Sequence, residues 1–265
     1  MPKVEVNDIQ MYYEVNGEGY PLVMIMGWQG NLDWWNPHMI EELSKNFKVV
    51  TFDNRGTGRT DVSDKEFSIR LFAEDTAGLM NTLDISQANI LGLSMGGVVA
   101  QELAINYPEK VKKLILYSTA CGGAKAVPMS QETIASLRRA SAGAMSAEEY
   151  MRGAIRFIHT NEFLDNNPDF AELQVQRMLR APTSPKVVMR QTSAMMSFDS
   201  YDRLPRIKAP TLILSGKRDV LNPSENGSIL AKAIPNAKLV FFEKSAHGLA
   251  EEMGEVLKVI TEFLL

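Results

Sequence analysis

Short runs of apolar residues recur along the chain and alternate with segments in which apolar residues are spaced three to four positions apart. A continuous apolar run is typical of a strand buried on both faces of a sheet, whereas the wider spacing is typical of a helix with one buried face. The runs predict strands over residues 3–6, 9–15, 21–26, 47–52, 88–91, 111–117, 211–214 and 238–242. The wider spacing predicts helices over residues 35–45, 69–82, 97–107 and 249–264. This alternation predicts an α/β fold in which helices cover both faces of a mostly parallel sheet.

The alternation stops between residues 122 and 206, where helix-like segments are interrupted by prolines and contain many methionines. We therefore expect a core formed by residues 1–121 and 207–265 and an inserted helical cap formed by residues 122–206. Methionine is flexible and apolar, so cap methionines are candidates for lining an adaptable substrate pocket, with ordinary packing between cap helices as the alternative. The candidates are Met145, Met195 and Met196.

Composition narrows the classes of function. The chain has 265 residues, long enough for a large α/β core, and a net charge of −4 without a dense basic cluster, so we do not expect it to bind nucleic acid. Its one cysteine, Cys121, cannot form an intramolecular disulfide, which predicts a reducing compartment. The first residues lack the apolar core of a signal peptide, and no apolar run is long enough to span a bilayer. We therefore expect a soluble, cytoplasmic protein that does not associate with membranes; its oligomeric state is left open.

The strongest chemical motif is Gly92-Leu93-Ser94-Met95-Gly96, which lies between the strand predicted at 88–91 and the helix predicted at 97–107. A serine between glycines at such a junction is typical of a sharp, strained turn that exposes the hydroxyl. The motif predicts that Ser94 is a nucleophile; a small residue in a tight turn is the alternative interpretation. A serine hydroxyl is a weak nucleophile at neutral pH, so it needs a nearby base, and that base needs a partner that orients it.

Candidates for the base and its partner occur later in the chain. His247 follows the last predicted strand, and Asp219 follows the strand before it. Because the carboxyl ends of parallel strands meet at the same edge of a sheet, we expect Asp219, His247 and Ser94 to converge there.

The other acids and histidines have less specific interpretations. The sixth predicted strand is followed by Ser118 and Thr119 rather than by an acid, which favours Asp219 as the partner of His247. His38 and His159 follow no predicted core strand and are interpreted as surface or cap residues. Three further acids are interpreted as solvated or capping carboxylates: Asp199, Asp202 and Glu243.

The motif around Ser94 and the chain order serine, aspartate, histidine resemble the α/β-hydrolase superfamily. Residues 53–58 are similar to the turn that follows the fourth strand in that family, and the resemblance covers nearly the whole chain. Among its subgroups, the chain looks most like the small capped carboxylesterases of bacteria and archaea and the enol-lactone hydrolases. Related dehalogenases and epoxide hydrolases carry an aspartate where Ser94 stands, which disfavours those activities.

The resemblance also implies an oxyanion hole made of two backbone N–H groups, those of Met95 and Trp28. The loop before Trp28 commonly begins with His-Gly in the family, whereas this chain has Met26-Gly27, and Gln29 occupies a position often held by glycine. Because the donor is a main-chain group, Met26 need not abolish the hole.

The resulting hypothesis is a serine hydrolase that cleaves small, fairly apolar carboxylic esters or lactones through an acyl-enzyme, with neither a metal nor an organic cofactor implied. Thioester hydrolysis, C–C bond hydrolysis and perhydrolysis on the same three residues are alternatives, because the cap decides the substrate. A receptor that binds a ligand on a hydrolase scaffold and turns it over slowly is a third interpretation.

Overall fold

A computed structural model describes residues 3–143 and 146–265. The described residues form one eight-stranded sheet with the strand order β1-β2-β4-β3-β5-β6-β7-β8. β1 and β2 pair antiparallel, β2 pairs antiparallel with β4, and every other neighbouring pair is parallel. The strands are β1 (Lys3–Val6), β2 (Ile9–Asn16), β3 (Tyr20–Ile25), β4 (Phe47–Phe52), β5 (Ala88–Leu93), β6 (Val111–Tyr117), β7 (Thr211–Gly216) and β8 (Ala237–Phe242).

Helices cover both faces of this sheet. The α-helices are α1 (Pro37–Ser44), α2 (Ile69–Thr82), α3 (Met95–Asn106), α4 (Gln131–Gly143), α5 (Ala147–Ile158), α6 (Asn161–Asn166), α7 (Pro168–Met178), α8 (Pro185–Met196), α9 (Glu225–Ala233) and α10 (Met253–Leu264). α2, α3 and α9 pack on one face, and α1 and α10 pack on the other. The prediction of an α/β fold with a mostly parallel sheet is therefore confirmed.

Strand β3 explains why the buried strands are continuous apolar runs. Val23 and Ile25 belong to the core beneath α2 and α3, whereas Leu22 and Met24 belong to the core beneath α1 and α10. Successive side chains point to opposite faces of a strand, so a strand covered on both faces needs apolar residues at every position.

The last helix begins later than predicted. The pattern predicts a helix over 249–264, but α10 begins at Met253 and is preceded by a short 3₁₀ turn at Ala250–Glu252. Leu249 has a left-handed backbone with φ of 49°, which cannot belong to a right-handed α-helix. Within the described residues, no helix combines the length and the apolar character needed to cross a membrane.

Helices α4 to α8 lie between β6 and β7 in the chain, and we call them the inserted helices. They have a small apolar core of their own, formed by Met151, Ile155, Leu164, Val175 and Met178. Two of their junctions, the one between α5 and α6 and the one between α7 and α8, contact loops at the edge of the sheet, as described below.

A buried ion pair fixes the turn that follows β4. Arg55 is fully buried and donates two hydrogen bonds to the carboxylate of Asp75 on α2, at 2.7 and 2.6 Å. It also donates to Asp8 in the turn between β1 and β2, at 2.9 Å, and this bond holds the pKa of Asp8 below its ordinary value. A guanidinium with two carboxylate partners satisfies its charge inside the protein, so the turn has a defined position.

Candidate active site

Ser94 lies in a sharp turn between β5 and α3. Its backbone is left-handed, with φ of 54° and ψ of −117°, a strained conformation for a residue other than glycine. The glycines on either side are required by packing: a Cβ on Gly92 would collide with the carbonyl oxygen of Gly96, and a Cβ on Gly96 would collide with the carbonyl oxygen of Ile25. The glycine spacing in the sequence is therefore the spacing that lets this turn pack against the neighbouring strand.

His247 and Asp219 form a short hydrogen bond in the loops that follow β8 and β7. The Nδ1 atom of His247 lies 2.7 Å from Oδ2 of Asp219, and both side chains are buried. The other oxygen of Asp219 accepts hydrogen bonds from the backbone N–H groups of Leu221 and Asn222, each at 2.8 Å. A carboxylate held in this way favours the tautomer with the proton on Nδ1 and leaves Nε2 free to accept a proton.

The residue after His247 is fixed from both sides. The N–H of Gly248 donates to the carbonyl oxygen of Ile158 at the end of α5, at 2.8 Å. The hydroxyl of Tyr117, at the end of β6, donates to the carbonyl oxygen of Gly248 at 2.6 Å. The loop that carries His247 is therefore held by the core sheet and by an inserted helix together.

Two backbone N–H groups near Ser94 are available to a ligand. In the described part of the chain, no protein group accepts a hydrogen bond from the backbone N–H of Met95 or of Trp28. Met95 is the first residue of α3, and the first N–H groups of a helix have no partner within the helix. Such N–H groups, at the positive end of the helix dipole, suit an oxygen that carries negative charge.

The turn after β4 supports the loop that contains Trp28. The side-chain amide of Asn54 donates to the carbonyl oxygen of Met26 at 3.0 Å. The carboxylate of Asp53 accepts hydrogen bonds from the N–H groups of Leu32, at 2.9 Å, and Arg59, at 2.7 Å, while its burial raises its pKa. The sequence identifies residues 53–58 as a turn. It does not show that this turn supports the Trp28 loop, because that contact depends on the two segments being adjacent in space.

Ser94, His247 and Trp28 line one cavity with a volume of about 470 Å³. Within the described residues, no Asp, Glu, Lys or Arg lines it, and no cluster of three or more His, Cys, Asp or Glu side chains is placed to hold a metal ion. Its apolar wall includes Trp34, Met39, Val98, Phe157, Met195 and Leu221. The cavity is of the size and character expected for a small, largely apolar molecule.

Residues 20–252 match the family described as the alpha/beta hydrolase fold. The chain belongs to this family. The hydrolase is 28% identical over 256 residues to a protein of Azorhizobium caulinodans named "Putative carbamate hydrolase RutD", an alignment that spans 97% of this chain and 95% of that protein.

Two solved structures extend the similarity of this α/β hydrolase over its whole length. The enol-lactonase from Burkholderia xenovorans LB400 gives a TM-score of 0.85 at 25% identity and covers 99% of both chains. A thermophilic esterase from Thermogutta terrifontis gives a TM-score of 0.82 at 28% identity and covers 100% of this chain and 98% of that one. The names of these three relatives all describe hydrolases, but they name different substrate classes: a carbamate, an enol-lactone and an ester.

The methionines predicted to line the pocket of the hydrolase differ in their position relative to the cavity. Met195 lines the cavity, whereas the adjacent Met196 is 83% exposed and lies outside it, so the prediction for Met196 was wrong. Neighbouring residues on a helix point about 100° apart, and only one of the two faces the interior. Met145 lies outside the described residues.

His159, between α5 and α6, lines the cavity, whereas the sequence analysis interprets it only as a surface or cap residue. Its ring is buried, packs edge-on against Phe170 with a centroid separation of 5.2 Å, and contacts the backbone of Gly248. Its Nδ1 has no hydrogen-bond partner among the described residues. Burial, and to a smaller extent the nearby His247, lowers the pKa of His159 to about 3, so the ring is neutral near pH 7. His159 follows a helix, so a search of the loops after strands does not find it.

The buried His159 is expected to make stability depend on pH. Below its ordinary pKa of 6.5, the unfolded chain binds a proton that the native ring accepts only near pH 3, so stability falls as pH falls through this window. The loss between pH 7 and pH 5 is about 2 kcal/mol of unfolding free energy. His159→Phe, which preserves the aromatic contact with Phe170, should remove that component in urea denaturation at the two pH values. An unchanged difference in His159→Phe would contradict this, and the exposed His38→Gln is the control.

Proposed function

We propose that this α/β hydrolase cleaves small, neutral carboxylic esters through an acyl-enzyme formed on Ser94. One observation carries the proposal: Ser94, exposed by its left-handed turn, and His247, bonded to Asp219 at 2.7 Å, line the same mostly apolar cavity. The relatives support hydrolysis of carboxylic acid derivatives, because they bear the names of an enol-lactonase, an esterase and a carbamate hydrolase. A lactone is a cyclic ester, so it is the second candidate substrate.

In the proposed reaction, the Ser94 oxygen attacks the ester carbonyl carbon while Nε2 of His247 takes the hydroxyl proton. The negative oxygen of the tetrahedral intermediate accepts hydrogen bonds from the N–H groups of Met95 and Trp28. The intermediate collapses, His247 gives its proton to the leaving alcohol, and the acyl group stays on Ser94. Water then attacks the acyl-enzyme and gives a proton to His247, and collapse of the second intermediate releases the acid and returns the proton to Ser94.

Asp219 orients His247 throughout this cycle and balances the charge of the imidazolium. Because Leu221 and Asn222 donate to one carboxylate oxygen, the other oxygen is held toward His247. The carboxylate therefore needs no reorganisation when the imidazole becomes charged, which is the condition for effective electrostatic stabilisation.

The charge of the cavity predicts a preference for neutral substrates. A carboxylate on the acyl chain would be buried in a wall that offers no Lys or Arg among its described residues, and burial of an unpaired charge is costly. Methyl 4-methylpentanoate and monomethyl succinate have nearly the same shape, but only the second carries a carboxylate. We expect kcat/KM for the neutral ester to be at least about 100-fold higher at pH 7, measured by titration of the released acid.

Equal rates with the two esters would contradict the assigned preference but leave ester hydrolysis in place. Failure of the purified protein to hydrolyse a panel of p-nitrophenyl esters, simple methyl esters and γ-lactones would overturn the proposed function itself. In that case the thioester, C–C bond and perhydrolysis alternatives, and a binding protein on a hydrolase scaffold, would be tested next.

A further inference from the structure

The residue after Trp28 has a backbone conformation that needs support. Gln29 is left-handed, with φ of 53°, although it has a side chain and is buried. In this region the Cβ atom crowds the backbone, so residues other than glycine adopt it at a cost in conformational free energy. Other contacts must therefore hold the loop at Gln29 in place.

The inserted helices provide those contacts at three points of Gln29. Its N–H donates to Oε1 of Gln191 on α8 at 2.8 Å, and its carbonyl oxygen accepts a hydrogen bond from the hydroxyl of Thr183, between α7 and α8, at 2.7 Å. Its side-chain oxygen accepts a hydrogen bond from the hydroxyl of Tyr150 on α5 at 3.0 Å. The backbone and the side chain of Gln29 are thus both held by a segment far away in sequence.

Gln191 is an unusual residue for its surroundings. It is completely buried, and its amide nitrogen has no hydrogen-bond partner among the described residues. A buried polar group without a partner is destabilising, and an apolar residue of the same shape would avoid that cost. The amide nitrogen therefore does not account for a glutamine here, whereas the amide oxygen does, because it is the acceptor for the buried N–H of Gln29.

The bond to Gln191 acts on the oxyanion loop through the peptide group that joins Trp28 to Gln29. The N–H of Gln29 belongs to that peptide, so the bond fixes the orientation of the peptide plane next to the N–H of Trp28. Helix α8 also holds the Trp28 side chain, whose indole N–H donates to the hydroxyl of Thr192 at 3.0 Å. The side chain of Trp28 and the peptide group that follows it are thereby both connected to α8.

We propose that Gln191 is a positioning residue of the oxyanion hole: it keeps Gln29 left-handed and so holds the N–H of Trp28 toward the developing negative charge. The proposal rests on the proposed function, because it needs a tetrahedral intermediate that carries an oxyanion. In this arrangement the inserted helices complete the catalytic geometry as well as forming part of the cavity wall.

The test is Gln191→Leu, which keeps the approximate shape and removes the acceptor. Loss of one oxyanion donor costs about 10²–10³ in rate, so displacement of the Trp28 N–H should lower kcat about 10- to 100-fold while KM stays within about threefold. An alkylboronic acid that forms an anionic tetrahedral adduct with Ser94 should lose affinity by the same factor as kcat/KM. A role in packing alone would not move the boronic acid affinity and kcat in parallel. Ser193→Ala, on an exposed position of α8, is the control and should keep the wild-type values.

Rescue provides an independent readout. Glycine adopts the left-handed conformation without support. If Gln191→Leu lowers kcat about 100-fold, adding Gln29→Gly to that variant should therefore raise kcat at least about tenfold. Gln29→Gly does not replace any packing lost with Gln191. No recovery, with the double variant folded, would contradict the positioning role.

The outcomes separate this proposal from the proposed function. An inactive wild-type protein overturns the proposed function, whatever Gln191 does. An active wild type together with a Gln191→Leu variant of unchanged kcat and boronic acid affinity overturns only the positioning role. Should Gln191→Leu fail to fold, Thr183→Val removes a second bond to Gln29 and should lower kcat about three- to tenfold with little change in KM. An unchanged kcat in Thr183→Val would then overturn the proposal.

Discussion

Replacement of Ser94 by alanine is expected to lower kcat/KM for ester hydrolysis by about 10⁴-fold or more without unfolding the protein. In the proposed reaction this variant lacks the oxygen that forms the acyl-enzyme, so only binding and the proposed oxyanion donors would remain. The fold should tolerate the change, because the Ser94 hydroxyl makes no hydrogen bond to any described residue and alanine meets the same backbone strain as serine. Initial rates and the midpoint of thermal unfolding measure the two parts of this expectation.

Ser118 offers a closely matched control for this experiment. It follows the neighbouring strand β6, has a left-handed backbone with φ of 48°, lines the same cavity, and carries a hydroxyl without a partner among the described residues. Ser118→Ala should keep kcat within about threefold of the wild type. Loss of turnover in Ser118→Ala, with turnover retained in Ser94→Ala, would show that the nucleophile has been misassigned.

The second large effect is expected for Asp219→Asn, which should lower kcat by about 10⁴-fold. The asparagine carbonyl can keep the hydrogen bonds from the N–H groups of Leu221 and Asn222, which turns its NH₂ group toward His247. An NH₂ group is a donor, so it favours the imidazole tautomer with the proton on Nε2. That tautomer cannot accept the proton of Ser94, although every atom keeps nearly the same position.

Nitrogen NMR of His247 distinguishes this explanation from a structural collapse. The neutral wild-type ring should carry its proton on Nδ1, and the neutral variant ring should carry it on Nε2. Glu243→Gln, which changes an exposed acid that follows β8, is the control and should leave both the tautomer and kcat unchanged. Activity of Asp219→Asn within about tenfold of the wild type would exclude Asp219 as the orienting group.

The sheet was predictable because its strands are buried on both faces. Positions 22 to 25 must all be apolar to satisfy the two cores, and this leaves a continuous run that no surface strand would show. The approach of His247 to Asp219 was predictable for a related reason, since loops after parallel strands end at one edge. In both cases a local pattern in the sequence determines the outcome.

The remaining parts of the site depend on how the inserted helices pack, which local patterns do not determine. Gln29 meets Gln191, Thr183 and Tyr150, which are 162, 154 and 121 positions away in the sequence. The error at Met196 has the same origin, because composition marks a helix as rich in methionine without saying which of its faces is turned inward. The contribution of these helices to the site could therefore be recognised only in the structure.

Hydrogen bonds from the inserted helices to Gln29 and Gly248 have a consequence for attempts to change substrate range by exchanging this segment with that of a relative. A transplanted segment would replace the acceptor at position 191 and the backbone contact of Ile158 along with the cavity wall. Chimeras without these contacts are expected to have a lower kcat on every substrate. They would resemble misfolded proteins in an activity screen, although only the loops at Gln29 and Gly248 had shifted. Libraries that vary Met195 and keep Gln191 separate the two effects, because Met195 lines the cavity whereas Gln191 is bonded to the loop at Gln29.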